Sequence, residues 1–252
     1  MKQTNSPSGI KILWLVLAFL LAAGTGLALA WFRHPKPQPL SPETQMATQP
    51  PVTTAPAQPP EPSWNLLLVN PWNAIPEDFS VNLYTLPSGH QVDERCYNEL
   101  EAMLDACREA GHSPRIVSSY RTQQRQQELY DNKVRRVMNE GYDQDQALVE
   151  AAKVVALPGT SEHQLGLALD IVDKRYQLLD EDQEKTDVQL WLMEHSWEYG
   201  FILRYPKSKS AITGIIYEPW HYRYVGREAA REIYESGQCL EEYLEEKYPN
   251  VY

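Results

Sequence analysis

Two of the six histidines in this chain stand in company that could do metal chemistry. His163 lies in Gly159-Thr160-Ser161-Glu162-His163-Gln164, and an apolar run leads from there to Asp170, an H-x6-D pattern. His221 lies in Glu218-Pro219-Trp220-His221-Tyr222. Zinc takes imidazole nitrogen and carboxylate oxygen, and a catalytic site uses three protein ligands and leaves a fourth position for water. His163, Asp170 and His221 fill that count. Glu218 is placed to act as general base on an activated water. Each signal is weak alone, because a lone histidine is more often a surface or satisfied core residue. Asp170 adds weight: it closes an otherwise apolar strand, where a carboxylate is costly to bury and a partner cation would remove the cost. Pro219 pushes Glu218 toward an extended backbone and rules out a regular helix here, so Glu218 and His221 must converge through a bend.

The elements that position these residues follow from periodicity and punctuation. Trp64–Val69 (WNLLLV), ended by Asn70-Pro71, reads as a first strand. Apolar residues Cys96, Leu100, Met103, Leu104 and Cys107 recur at helical spacing between Asp93 and Ala110, with Gly111 as a stop. Ile116–Tyr120 reads as a strand. Thr122 caps a helix running to about Met138 and closed by Gly141, and a further helix covers Gln144–Val155. Leu165–Val172 is strand-like, Asp187–Tyr199 a helix closed by Gly200, and Phe201–Leu203 and Tyr222–Val225 short strands. Two closing helices cover Gly226–Ser236 and Leu240–Lys247. Strands and helices intersperse without a regular βαβ period, which predicts an α+β fold.

Around this domain the chain is divided by composition. From Ile12 to Phe32 it runs without a charge, long enough as a helix to span a hydrocarbon core of about 30 Å. Residues 1–33 are expected to be a single transmembrane anchor, with a cleaved signal segment at Ala28-Leu29-Ala30 as the competing reading. Residues 34–63 hold ten prolines and few bulky apolar residues, the composition of a disordered, extended stalk. Residues 64–252 form the expected folded domain, exported and held at the cell membrane by the single-pass anchor. The formal charge is −11 overall; Lys2, Lys11, Arg33 and Lys36 against Glu43 and Glu61 give +2 on 1–63, leaving −13 on the domain. Such an acidic domain, with no long basic run, excludes nucleic acid as a partner. No C-x-x-C pair exists among Cys96, Cys107 and Cys239, so a thiolate zinc site has no support. Cys96 and Cys107 share a helix and lie about 16 Å apart at 1.5 Å per residue, too far to bridge. For an exported domain the pairing expected here is Cys107–Cys239, joining the first helix to the C-terminal helix, with three buried reduced thiols as the equal alternative.

The stretches LLLVNPWN, SSYRTQQRQQELY, PGTSEHQLGLALDI, WEYGFILRYP, TGIIYEPWHYRYVG and CLEEYL resemble the VanY-type D-alanyl-D-alanine carboxypeptidases. That family of zinc peptidases is related to D-Ala-D-Ala dipeptidases and LD-carboxypeptidases. The stretches run in the family's order from Trp64 to Tyr243. The resemblance implies one zinc ion per chain, bound by His163, Asp170 and His221, with Glu218 as catalytic base. It implies that Arg121 polarises the scissile carbonyl and stabilises the oxyanion, and that Ser161 contacts the substrate's terminal region. The implied fold is a small central antiparallel sheet with surrounding helices and the zinc site at the sheet. The implied substrate is a peptidoglycan stem peptide ending in D-Ala; no obligate protein partner is inferred. Rival readings are LD cleavage of tetrapeptide stems and a wall-binding module that has lost catalysis; Glu218 and Arg121 speak against the second. Arg204 reads as a structural ion pair, His195 as a surface residue, and Trp220, Tyr222 and Tyr224 as core more than pocket.

Overall fold

The computed structural model describes residues 61–249 and 251. The expected membrane helix, and the proline-rich stretch up to residue 60, lie outside the described residues. Among the described residues no helix is long and apolar enough to cross a membrane.

The chain order is β1 (Leu83–Thr85), β2 (Gln91–Asp93), α1 (Tyr97–Glu109), β3 (Pro114–Ser118), α2 (Gln123–Asn139), α3 (Gln144–Ala152), β4 (Ala168–Asp173), α4 (Asp187–His195), β5 (Phe201–Leu203), α5 (Ser210–Thr213), β6 (His221–Tyr224), α6 (Arg227–Ser236) and α7 (Leu240–Lys247). This is an α+β fold with two small antiparallel sheets. One is the β1–β2 hairpin; the other has four strands in the order β3-β4-β6-β5.

The two inner strands explain how a polar site sits in an apolar domain. Alternation along β4 sends Leu169 and Ile171 into the main core, and along β6 it sends Tyr222 and Tyr224 there. That face packs on Leu100, Met103 and Leu104 of α1 and on Val188 and Leu192 of α4. The opposite face carries Asp170, His221 and Arg223, all buried. A second apolar cluster joins α6 and α7 to Leu66, Leu68 and Ile202, and a third joins α2 to α3. The expected caps form: Thr122 accepts from the Arg125 amide, and the helical run after Asp187 ends at Gly200 in the left-handed conformation.

Three expectations change. WNLLLV makes no strand; Trp64–Leu66 is a single 3-10 turn followed by extended chain. Its Asn65 and Leu67 carbonyls accept from Arg223 Nη2 at 3.0 and 2.9 Å, so a guanidinium supplies donors that a neighbouring strand would otherwise give. The strand after His163 starts late, because Glu162–Leu165 forms a 3-10 turn ended by Gly166 at φ +73°. A Cβ at Gly166 would meet the Asp93 amide nitrogen at 2.9 Å, so only glycine fits this junction. The Cys107–Cys239 bridge is also corrected: all three cysteines are free and buried. Cys107 packs in the main core under the sheet, whereas Cys239 caps α7 beside the C-terminal cluster.

Candidate active site

His163, Asp170 and His221 come together on the polar face of the sheet. Asp170 and His221 are paired residues across β4 and β6, and the turn before β4 brings His163 over them. His163 Nε2 and His221 Nδ1 each lie 3.3 Å from Asp170 Oδ1. Atoms bound at about 2.0–2.1 Å by a tetrahedral zinc ion lie about 3.3–3.4 Å from one another. Asp170 Oδ1 is buried and accepts no hydrogen bond from the described residues. An orphaned buried oxygen between two imidazole nitrogens at this spacing fits a bound cation.

The electrostatics agree. Burial, and then the nearby Arg121 charge, pull His163 down to about 4, so its ring is neutral with a lone pair to offer. Its Nδ1 lies 2.8 Å from the Ser119 carbonyl oxygen, which directs Nε2 toward Asp170. Burial by itself would lower the pKa of His221, yet its contacts with Asp170, Glu162 and Glu218 outweigh it and raise the pKa well above the ordinary value. The pocket of carboxylates favours positive charge, from a proton or from a metal.

Glu218 reaches this cluster through a β-turn with Pro219 in its second position, closed by the His221 amide on the Glu218 carbonyl at 3.1 Å. The expected bend is therefore present. Glu218 Oε2 lies 3.4 Å from His221 Nδ1. Burial raises its pKa above the usual carboxylate range against the pull of His221, which suits a group that must take up and release a proton.

Arg121 braces the cluster from the other side. Its Nη2 donates to Asp170 Oδ2 at 2.9 Å and to Ser118 Oγ at 2.8 Å, its Nε to Ser118 Oγ at 2.9 Å, and its Nη1 to Gln126 Oε1 at 3.3 Å. Four of a guanidinium's five N–H groups are so engaged, leaving one on Nη1. Ser161 is buried and lines the same cavity. That cavity, of about 530 Å³, is lined by Trp220, Tyr205 and Tyr217, by His163, Asp170, His221 and Glu218, and by Lys133 and Arg136 from α2.

Of the aromatic candidates, Trp220 lines the cavity while Tyr222 and Tyr224 belong to the core. His195 is half-exposed and paired with Glu198. Arg204 makes the expected ion pairs, with Glu162 and Glu241, both at 2.7 Å. Sequence reasoning missed Tyr205, whose ring centroid stands 4.7 Å from that of His221. It also missed Glu162, next to His163. Arg204 and Arg223 are both fully buried and call for a buried carboxylate, but that burial shows only in the fold, not in the sequence.

Two histidines and an aspartate on neighbouring strands, with a carboxylate of raised pKa at the same cavity floor, place the chain among metal-dependent hydrolases. A family model described as VanY, D-alanyl-D-alanine carboxypeptidase, matches residues 89–227. A D-alanyl-D-alanine carboxypeptidase of Enterococcus faecalis is 48% identical over 193 residues, covering 77% of this chain and 70% of that protein. The chain belongs to the VanY D-alanyl-D-alanine carboxypeptidase family. Among solved structures, VanYB in complex with D-alanine-D-alanine is 48% identical with a TM-score of 0.68, covering 72% of this chain and 98% of that one. A vancomycin-resistance D,D-pentapeptidase VanY, in a glutamate-to-alanine variant complexed with Zn(II), is 47% identical with a TM-score of 0.67, covering 72% and 99%.

Proposed function

We propose that this protein is a zinc D,D-carboxypeptidase that removes the C-terminal D-alanine from peptidoglycan stem peptides. The observation that carries the reading is the buried His163–Asp170–His221 cluster, with 3.3 Å between donor atoms, at the floor of a cavity also bounded by Glu218. Held by those three residues, zinc supplies the Lewis acidity that makes water a nucleophile near neutral pH.

The chain's own groups then divide the work. Glu218 takes the proton of the attacking water and later returns it to the departing amine nitrogen of D-alanine. Arg121 keeps Asp170 oriented through Nη2, and its remaining Nη1 hydrogen is available to the oxygen on which negative charge develops. Ser161 binds near the terminal residue of the substrate, and Trp220 and Tyr205 wall the cavity against bulk water. Residues 12–32 serve as a membrane anchor, holding the catalytic domain outside the cytoplasm; their uncharged length supports this reading.

The test is D-alanine release by the zinc-loaded protein from two synthetic stems. A pentapeptide ending D-Ala-D-Ala is cleaved, and the tetrapeptide lacking its last residue is not. Cleavage of the tetrapeptide alone moves the assignment to LD specificity. Inertness toward both, with zinc bound, leaves a wall-binding module.

A further inference from the structure

Two buried polar atoms face each other without a hydrogen-bond partner: Glu162 Oε2 and His221 Nε2, 3.5 Å apart. Native proteins rarely leave such groups unmatched, because each then carries its full desolvation cost. The rest of Glu162 is firmly held. Its Oε1 accepts from Arg204 Nε and Arg223 Nη1, both at 2.7 Å, and all three side chains are fully buried. Arg204 is fixed in turn by two bonds to Glu241 of α7, at 2.8 and 2.7 Å. A structural ion pair would account for Oε1. It does not account for Oε2 aimed at the outer nitrogen of a histidine whose inner nitrogen faces Asp170.

We infer that Glu162 is the positioning residue for His221: its Oε2 accepts the Nε2 proton, which turns the Nδ1 lone pair toward the metal. A metal-bound imidazole donates its other N–H to a carboxylate, carbonyl or water, and loss of that partner commonly weakens metal binding about 10–100-fold. The two histidines here differ in this respect. His163 uses a backbone carbonyl, which no substitution removes, whereas His221 depends on a side chain. The inference rests on the zinc reading of the site.

Glu162→Gln is the informative change. Arg204 and Arg223 both require an acceptor, so the amide oxygen must face them and the amide NH2 must face His221. Nε2 must then accept, the proton moves to Nδ1, and the ligand is lost. Zinc affinity of the full-length protein is measured by competition with a chromogenic chelator, beside urea unfolding of the same samples. Glu162→Gln should weaken zinc binding 10–100-fold. Asp93→Asn, which weakens the pair between buried Asp93 and the exposed Arg95 without touching His221 or Glu162, should lower stability and leave zinc affinity within about twofold. Should Glu162→Gln not fold, the zinc-loaded wild type still decides: imidazole 1H–15N correlations should show the His221 proton on Nε2, shifted downfield and slow to exchange. A zinc affinity unchanged in Glu162→Gln, or a rapidly exchanging Nε2 proton in the wild type, overturns the inference alone. A wild type that binds no zinc overturns the reading of the site as well.

Discussion

Asp170 and His221 are register partners across β4 and β6, so their side chains leave the same face of the sheet and meet at 3.3 Å. Neighbours across an antiparallel pair have Cβ atoms about 4.5–5.5 Å apart. A short carboxylate and an imidazole can therefore converge on one point with little loop structure between them. Precision comes from the ladder, and His163 is brought in by the turn that Gly166 ends.

Removing the metal should abolish activity and stoichiometric zinc should restore it. Asp170→Asn loses the anionic ligand and leaves Arg121 without its carboxylate partner. We expect it to purify with well under one zinc per chain by atomic absorption. Full zinc content in that variant would place the metal elsewhere.

Glu218→Gln should keep zinc and lose turnover by about 10²–10⁴-fold, the usual share of a general acid–base. The measurement pairs kcat on a D-Ala-D-Ala stem with metal content. Near-normal kcat would remove Glu218 from the proton pathway.

Arg121→Lys keeps the charge but replaces a planar fork by a point donor. The four guanidinium bonds to Ser118, Asp170 and Gln126 cannot all be made by the three donors of one ammonium. A fall in kcat of about 10²–10³, the cost of one oxyanion donor, is the expected outcome. A rise in KM alone would make Arg121 a binding group.

Glu241 ties α7 to the buried Arg204. Burial would raise the pKa of this carboxyl, but Arg204 more than offsets it and holds the pKa below the ordinary value. A depressed folded-state pKa means that the stabilisation is complete above the unfolded value near 4.3 and is lost as the pH falls through the folded one. Glu241→Ala should cost on the order of 3–5 kcal/mol at pH 7, and the gap from wild type in urea unfolding should narrow as the pH falls below about 4. A gap independent of pH would mean that packing, not charge, holds α7.

The three thiols should resist alkylation in the folded protein. Burial pushes Cys96 and Cys107 up to about 12 and Cys239 to about 11, so little thiolate exists at pH 8. Unfolded, unreduced protein should take up three equivalents of iodoacetamide; uptake of one would restore the bridge.

Much of the helical framework was legible because its signals are local. Thr122, Gly141 and Gly200 announce helix ends through their own backbone chemistry, and the structure has those ends where they point. The three residues that come together on the sheet, His163, Asp170 and His221, were legible from type, spacing and family resemblance, and the Pro219 bend from the restriction proline imposes. Glu162 was not, since its partners Arg204 and Arg223 lie 42 and 61 residues away, and nothing local separates a buried glutamate from a solvated one. The β1–β2 hairpin escaped because two three-residue strands give too short a period to detect. WNLLLV misled for the converse reason: its apolar run reports burial, which Leu66, Leu68 and Val69 do achieve, but burial does not require a ladder.

Arg223 gives that same segment a further importance. One guanidinium holds both Glu162 and the carbonyls of Asn65 and Leu67, so a cut in the chain has very different effects a few residues apart. Proteolysis before Ser63 leaves every one of these acceptors in place. Proteolysis after Leu67 strips two acceptors from a buried cation two residues beyond His221, and water must enter to replace them. The solvation of one buried arginine thus gives the segment from Asn65 to Leu67 a cost of removal, and limited digestion is expected to spare it.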